Sequence, residues 1–86
     1  MGGNILIKIS LQRTLDEIDI TVHKLSVDYK LRSSTIYKLL SGETTQIKFE
    51  TLNIILNVLN NIAIEKGINK TYTITDIIDY EYKRGE

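Results

Sequence analysis

TVHKLSVDYKLRSSTIYKLLSGETTQIKFETL, residues 21–52, is the stretch on which the fold turns. Thr21 is an N-cap candidate, because its hydroxyl can accept from a backbone N–H that the first helical turn leaves unpaired. Lys24 stands where a capping box would place Glu or Gln, so that cap is half supplied. Val22, Leu25 and Tyr29 put one apolar stripe on a short helix, and Tyr29-Lys30-Leu31 breaks it. Ile36, Leu39 and Leu40 open a second stripe. Ser41-Gly42 closes it, with glycine suited to the left-handed C-cap. Glu43 to Lys48 is a polar loop. Phe49, Leu52, Ile55, Leu56 and Leu59 then mark a longer central helix, about 49–62, the strongest periodic signal in the chain. Its other side carries Ile54, Val58 and Ile62. A helix apolar on two sides has two partners. This second face reads either as packing against the chain's own tail or as the seam of a homodimer.

Working outward, Asn4 to Ile9 is β-branched and partly alternating, which predicts a short strand. Ser10 is a candidate N-cap, and Leu11, Leu15 and Ile18 recur at helical spacing toward Asp19. Beyond the central helix the pattern fades at Glu65-Lys66-Gly67, and Ile68 to Thr73 reads as a connection. Thr75 is expected to cap one last turn, Asp76 to Asp79, with Asp76 placed for the helix dipole. Tyr80 and Tyr82 suggest an edge strand paired with Ile5–Ile9, since each is too short to stand alone.

Eighty-six residues make one domain, 1–86. The composition, 42% hydrophobic and 26% charged, is that of a folded globular chain. Fifteen isoleucines and ten leucines supply the core almost alone. The absence of cysteine excludes disulfides, thiolate metal sites and a cysteine nucleophile. The single histidine, His23, reads as an exposed helix residue. Asp76, Asp79 and Glu81 read as a solvated helix end, because no matching ligand set stands elsewhere. There is no Ser-His-acid set and no glycine-rich phosphate loop, so no catalytic residue, cofactor or metal is expected. No apolar run approaches the ~20 residues that span a bilayer. No signal peptide is read, and the expected location is the cytoplasm, with no membrane partner.

Eleven bases cancel eleven acids, but unevenly. Residues 20–48 carry Lys24, Lys30, Arg32, Lys38 and Lys48 against Asp28 and Glu43 only. Both flanking stretches are net acidic. A basic middle of this kind is the local footprint expected of a polyanion site.

Two short helices joined by a tight turn, the second with an exposed polar face, form a helix-turn-helix, here about 21–41. The major groove of B-DNA is about 12 Å wide and admits one α-helix. The expected fold is mainly α: a compact four- to five-helix helix-turn-helix domain, with a short two-stranded sheet from its N- and C-terminal segments.

The same residues resemble the Xre family, the Cro and phage-repressor-like regulators. The matching landmarks are Thr21 opening helix two, Leu25 four residues on, and the small Ser26 where two helices cross. Ile36, the Ser41-Gly42 stop and the F-x-T-L of Phe49 to Leu52 also match, without a gap. The resemblance covers about Leu11 to Asn60. The tail, Tyr72 to Glu81, is similar to the "DLLEY" ending of a small phage-type and Firmicute subgroup, in which the chain ends form a little sheet beside the helices.

The resemblance implies sequence-specific duplex DNA binding and transcriptional control, commonly by a repressor dimer on a palindromic operator. Carried over by position, Ser33, Ser34, Tyr37 and Lys38 would face bases. Arg32, Ser41, Thr44, Thr45 and Lys48 would sit near phosphates. Ile54, Val58 and Ile62 are the candidate dimer face. Four positions depart from the pattern. Lys30 replaces a turn glycine, at a cost of order 1 kcal/mol if it is left-handed. Arg32 replaces a capping hydroxyl, Val22 a polar residue near a phosphate, and Glu43 adds a negative charge to the loop. With few phosphate partners, the expected salt dependence is shallow. The second reading, carried by zero net charge and these departures, is a protein-interaction adaptor or antirepressor with a regulatory protein as partner.

Overall fold

The computed structural model describes residues 6–82. Thr21 caps as expected: its backbone is extended (φ −100°, ψ 162°) and its hydroxyl accepts from the Lys24 N–H at 3.1 Å. The helix it opens, α2, spans Val22–Tyr29, after α1 at Leu11–Ile18. Next come α3 at Ser33–Ser41 and the long α4 at Phe49–Glu65. The turn between α2 and α3 passes through Lys30 in the left-handed region (φ 60°), where the sequence lacks the expected glycine. Gly42, at φ 79°, ends α3 as its position predicts, with its N–H donating to the Leu39 carbonyl.

The four helices surround one core of Leu11, Leu15, Ile18, Leu25, Ile36, Leu39, Ile55 and Leu59, each almost fully buried. Leu15 and Ile18 of α1 come from the stripe read in the sequence, as do Ile36 and Leu39 of α3. Leu40 is only half-buried at the edge of this core. Tyr29 is also half-buried, and its hydroxyl donates to Glu65.

A two-stranded antiparallel sheet closes the chain ends, β1 at Ile7–Ile9 against β2 at Ile78–Tyr80, with Ile9 opposite Ile78 and Ile7 opposite Tyr80. The expected pairing is present for these residues; Ile5 and the start of the predicted strand lie outside the described residues. Tyr82 is exposed and beyond the strand.

Three local expectations are corrected. Ser10 occupies the N-cap position of α1, but its side chain does not cap the helix. Its hydroxyl donates instead to the Thr75 carbonyl at 2.6 Å, tying the tail to the start of the helix. The last turn is a 3-10 turn at Ile74–Asp76 and not a helix at Asp76–Asp79. Its cap is Thr73, whose N–H donates to the Asp76 carboxylate at 2.8 Å, rather than Thr75. Residues Ile78 and Asp79 are then free to pair with β1. Finally α4 runs one turn past its predicted end and carries Ile62 into the core at 1% exposure. Val58 is half-buried against the same core, so of the candidate dimer face only Ile54, 44% exposed, stays outside.

Candidate nucleic-acid interface

The burial pattern of α3 follows from its apolar spacing. Ile36 and Leu39 point into the core, which turns Ser34, Tyr37, Lys38 and Ser41 outward. Tyr37 is 57% exposed, a large aromatic side chain held in water. Ser33 is half-buried at the edge of this face. The outward flank therefore offers two serine hydroxyls, a phenol and an ammonium. Serine donates or accepts at base edges, lysine donates to guanine acceptors, and tyrosine packs on a thymine methyl or reaches a phosphate. The Ser41 hydroxyl already donates to the Lys38 carbonyl at 3.1 Å, which fixes its direction on the last turn.

Of the predicted phosphate set, Arg32, Thr44 and Lys48 line one groove together with Lys38 of this flank. Arg32 is the exposed N-cap residue of α3 and Lys48 that of α4, both extended and neither closing its helix with a side-chain cap. Each helix thus presents the positive end of its dipole beside a cation, a favourable setting for an anion. In the loop Thr45 is exposed and Thr44 half-buried. Val22 faces inward as part of the core, so the start of α2 offers no polar side chain at that position. Glu43 is exposed, with its N–H held by the Lys38 carbonyl.

The distribution of charge partners sharpens the picture. Among the described residues, Lys8 pairs with Glu81, Arg13 with Asp76, Lys24 with Asp28, and Lys70 with Glu17. Lys66 donates to the carbonyls of Ile18 and Asp19 at 2.7 and 2.8 Å, closing the C-terminus of α1. The remaining described cations are Lys30, Arg32, Lys38 and Lys48, and all four line a single open groove of about 690 Å³ beside α3. Glu50 is the one acid in that lining. Arg32, Lys38, Thr44 and Lys48 were expected at the interface; Lys30, Thr35, Gln46 and Glu50 were not. Lys30 belongs to the basic middle of the sequence and departs from the turn glycine, but the sequence does not place it among the contact residues.

A family profile, the Cro/C1-type helix-turn-helix DNA-binding domain, matches residues 10–61. The chain belongs to this Cro/C1-type family. The matched stretch runs from Ser10 at the start of α1 into the last turns of α4, so it contains the whole helix-turn-helix and both N-cap cations. Comparison with curated proteins and with solved structures gives no match. As a Cro/C1-type domain the protein is a DNA-binding regulator, and the exposed flank of α3 lies where such a domain carries its recognition helix. The Cro/C1-type match ends before Tyr72 and the β2 strand. No helix among the described residues is long and apolar enough to cross a membrane.

Proposed function

We propose that this Cro/C1-type domain is a cytoplasmic, non-catalytic transcriptional repressor that reads a specific duplex sequence in the major groove with α3. Ser33, Ser34, Tyr37 and Lys38 contact base edges. Arg32, Ser41, Thr44, Thr45 and Lys48 hold the flanking phosphates. The observation that carries this reading is the sorting of charge: the cations not engaged within the described residues are gathered beside the outward flank of α3. Phosphate contacts set register and orientation, and the four polar side chains of α3 then supply discrimination.

Occupation of an operator blocks polymerase by exclusion, which needs no second domain. Binding by two copies to a palindrome is part of the proposal, and the symmetry of the bound sequence reads it out. The Ile54, Val58 and Ile62 seam does not supply that contact in its original form, because Ile62 is core.

Enrichment of duplexes from a random-sequence pool at about 50 mM salt tests the proposal. The expected result is one consensus, and loss of preference for it when Tyr37 and Lys38 are both replaced by alanine. Recovery of no consensus with folded protein, or an unchanged consensus from the double variant, contradicts it.

A further inference from the structure

The groove beside α3 has a feature that phosphate binding does not use. Its rim is cationic, but its floor is apolar, built from Leu31, Ile36, Leu39, Ile47, Ile54 and Ile55. Most of these side chains are buried by the core behind them. Ile54 is exposed and Ile47 half-buried, so hydrocarbon faces water between charged walls. A sugar-phosphate strand satisfies the rim and leaves this floor wet. A ligand that places apolar side chains on the floor and carboxylates on the rim satisfies both.

We propose that this groove docks a short acidic segment of a regulatory protein partner, with apolar side chains against Ile47 and Ile54 and carboxylates on Lys30, Lys38 and Lys48. Charge complementarity selects this occupant. A second copy presenting the same groove would set four cations against four cations, since a two-fold contact brings like patches together. A small molecule is disfavoured by shape, because small-ligand sites bury most of their ligand whereas this groove is open along its side. The docked segment and DNA share Lys38 and Lys48, so binding of one releases the other. That exclusion rests on the DNA reading above; the docking itself does not.

The probe is a fluorescein-labelled peptide of alternating acidic and leucine residues, compared with the same peptide carrying serine for leucine. Both are titrated into the full chain by anisotropy, with amide shifts followed in isotope-labelled protein. The leucine peptide is expected to bind about ten-fold tighter than the serine peptide. Its shifts should cluster on residues 30–39 and 46–55. Ile54→Ser should weaken the peptide about ten-fold while leaving duplex affinity unchanged. Lys38→Ala should weaken both ligands. The leucine peptide should displace a bound duplex. Melting curves of both variants check that they remain folded; Ile54 is exposed enough for the substitution to be tolerated. Equal affinity of the two peptides, shifts mapping to another face, or indifference to Ile54→Ser overturns the proposal. So does sedimentation showing that Ile54→Ser dissociates a dimer while peptide binding persists. If the peptide binds and no duplex sequence is ever selected, the DNA reading fails alone; if the duplex binds and the leucine peptide does not, the docking fails alone.

Discussion

Asn60 grips the backbone of Tyr72 at both of its polar atoms. The Asn60 Oδ1 accepts the Tyr72 N–H at 2.7 Å, and its Nδ2 donates to the Tyr72 carbonyl at 3.1 Å. The same Nδ2 also donates to the Leu56 carbonyl at 3.0 Å. One side chain on α4 thus gives Tyr72 the pairing that a neighbouring strand would give. It holds the tail where the Tyr72 ring is buried and where the tail can cross to α1. Replacing Asn60 with alanine leaves an N–H and a carbonyl in a partly buried place without partners. The expected loss is about 1–3 kcal/mol per group left unsatisfied, seen as a lower urea midpoint. Asn60→Asp keeps the acceptor and loses the donor, so its midpoint should fall between the two.

Thr14 makes a second clasp. It is 1% exposed, and its hydroxyl donates to the Asp76 carbonyl at 2.6 Å. Thr14→Val keeps the shape and removes the donor. Stability should fall by about 1–3 kcal/mol, and amide exchange at Ile77 and in β2 should speed up more than in α4. Equal acceleration everywhere would mean that the tail unfolds only with the whole domain.

Acid should loosen the same region. Hydrogen bonds first from Lys70 and then from Tyr72 hold the Glu17 carboxyl below its ordinary value of 4.5. Because the folded value is the lower one, this contribution is complete above 4.5 and disappears as pH falls through the folded value. Glu17→Gln should therefore destabilise the domain at about pH 7, and the difference should shrink progressively as pH falls below 4.5, as read from urea midpoints along an acid series. A difference that grows on acidification would contradict the assignment.

Much of this was legible in the residues. Thr21, Gly42 and the spacing of Leu52, Ile55 and Leu59 announce their roles because caps and helical stripes are local properties, whereas Phe49, the first member of that stripe, is 88% exposed at the start of α4. The outward flank of α3 follows from Ile36 and Leu39 by geometry alone. The tail was harder. Thr73 and Thr75 are equivalent as candidate caps until β1 claims Ile78 and Asp79, and that pairing spans most of the chain. Ser10 looked like a cap because Thr75, its true partner, is distant in sequence. The second face of α4 stays open between packing within the chain and a dimer seam in the sequence, because what covers Ile62 is settled only by the assembled core. The shared groove of Lys30, Arg32, Lys38 and Lys48 is a tertiary fact, since it needs α3 and α4 side by side.

Lys30 allows stability and binding to be separated. It sits at φ 60°, where a side chain costs of order 1 kcal/mol, partly recovered through the less flexible unfolded chain. Lys30→Gly should raise the urea midpoint slightly, while removing a cation from the groove weakens duplex binding at low salt. Leu39→Ala should behave in the opposite sense, with about 2–5 kcal/mol lost from folding because the side chain is buried.

The central claim is that unengaged cations beside α3 meet the phosphates of a duplex, and the salt dependence of binding measures it most directly. Each neutralised phosphate contributes about −0.9 to the slope of log K against log salt. With Lys30, Arg32 and Lys48 on phosphates, the slope should be about −3 per bound copy, and Arg32→Ala or Lys48→Ala should each reduce its magnitude by about 0.9 per copy. Lys24→Ala, which removes a lysine already paired with Asp28 at 2.8 Å, should leave it unchanged. A slope near zero, or one that responds to Lys24 and not to Arg32 and Lys48, would contradict the account.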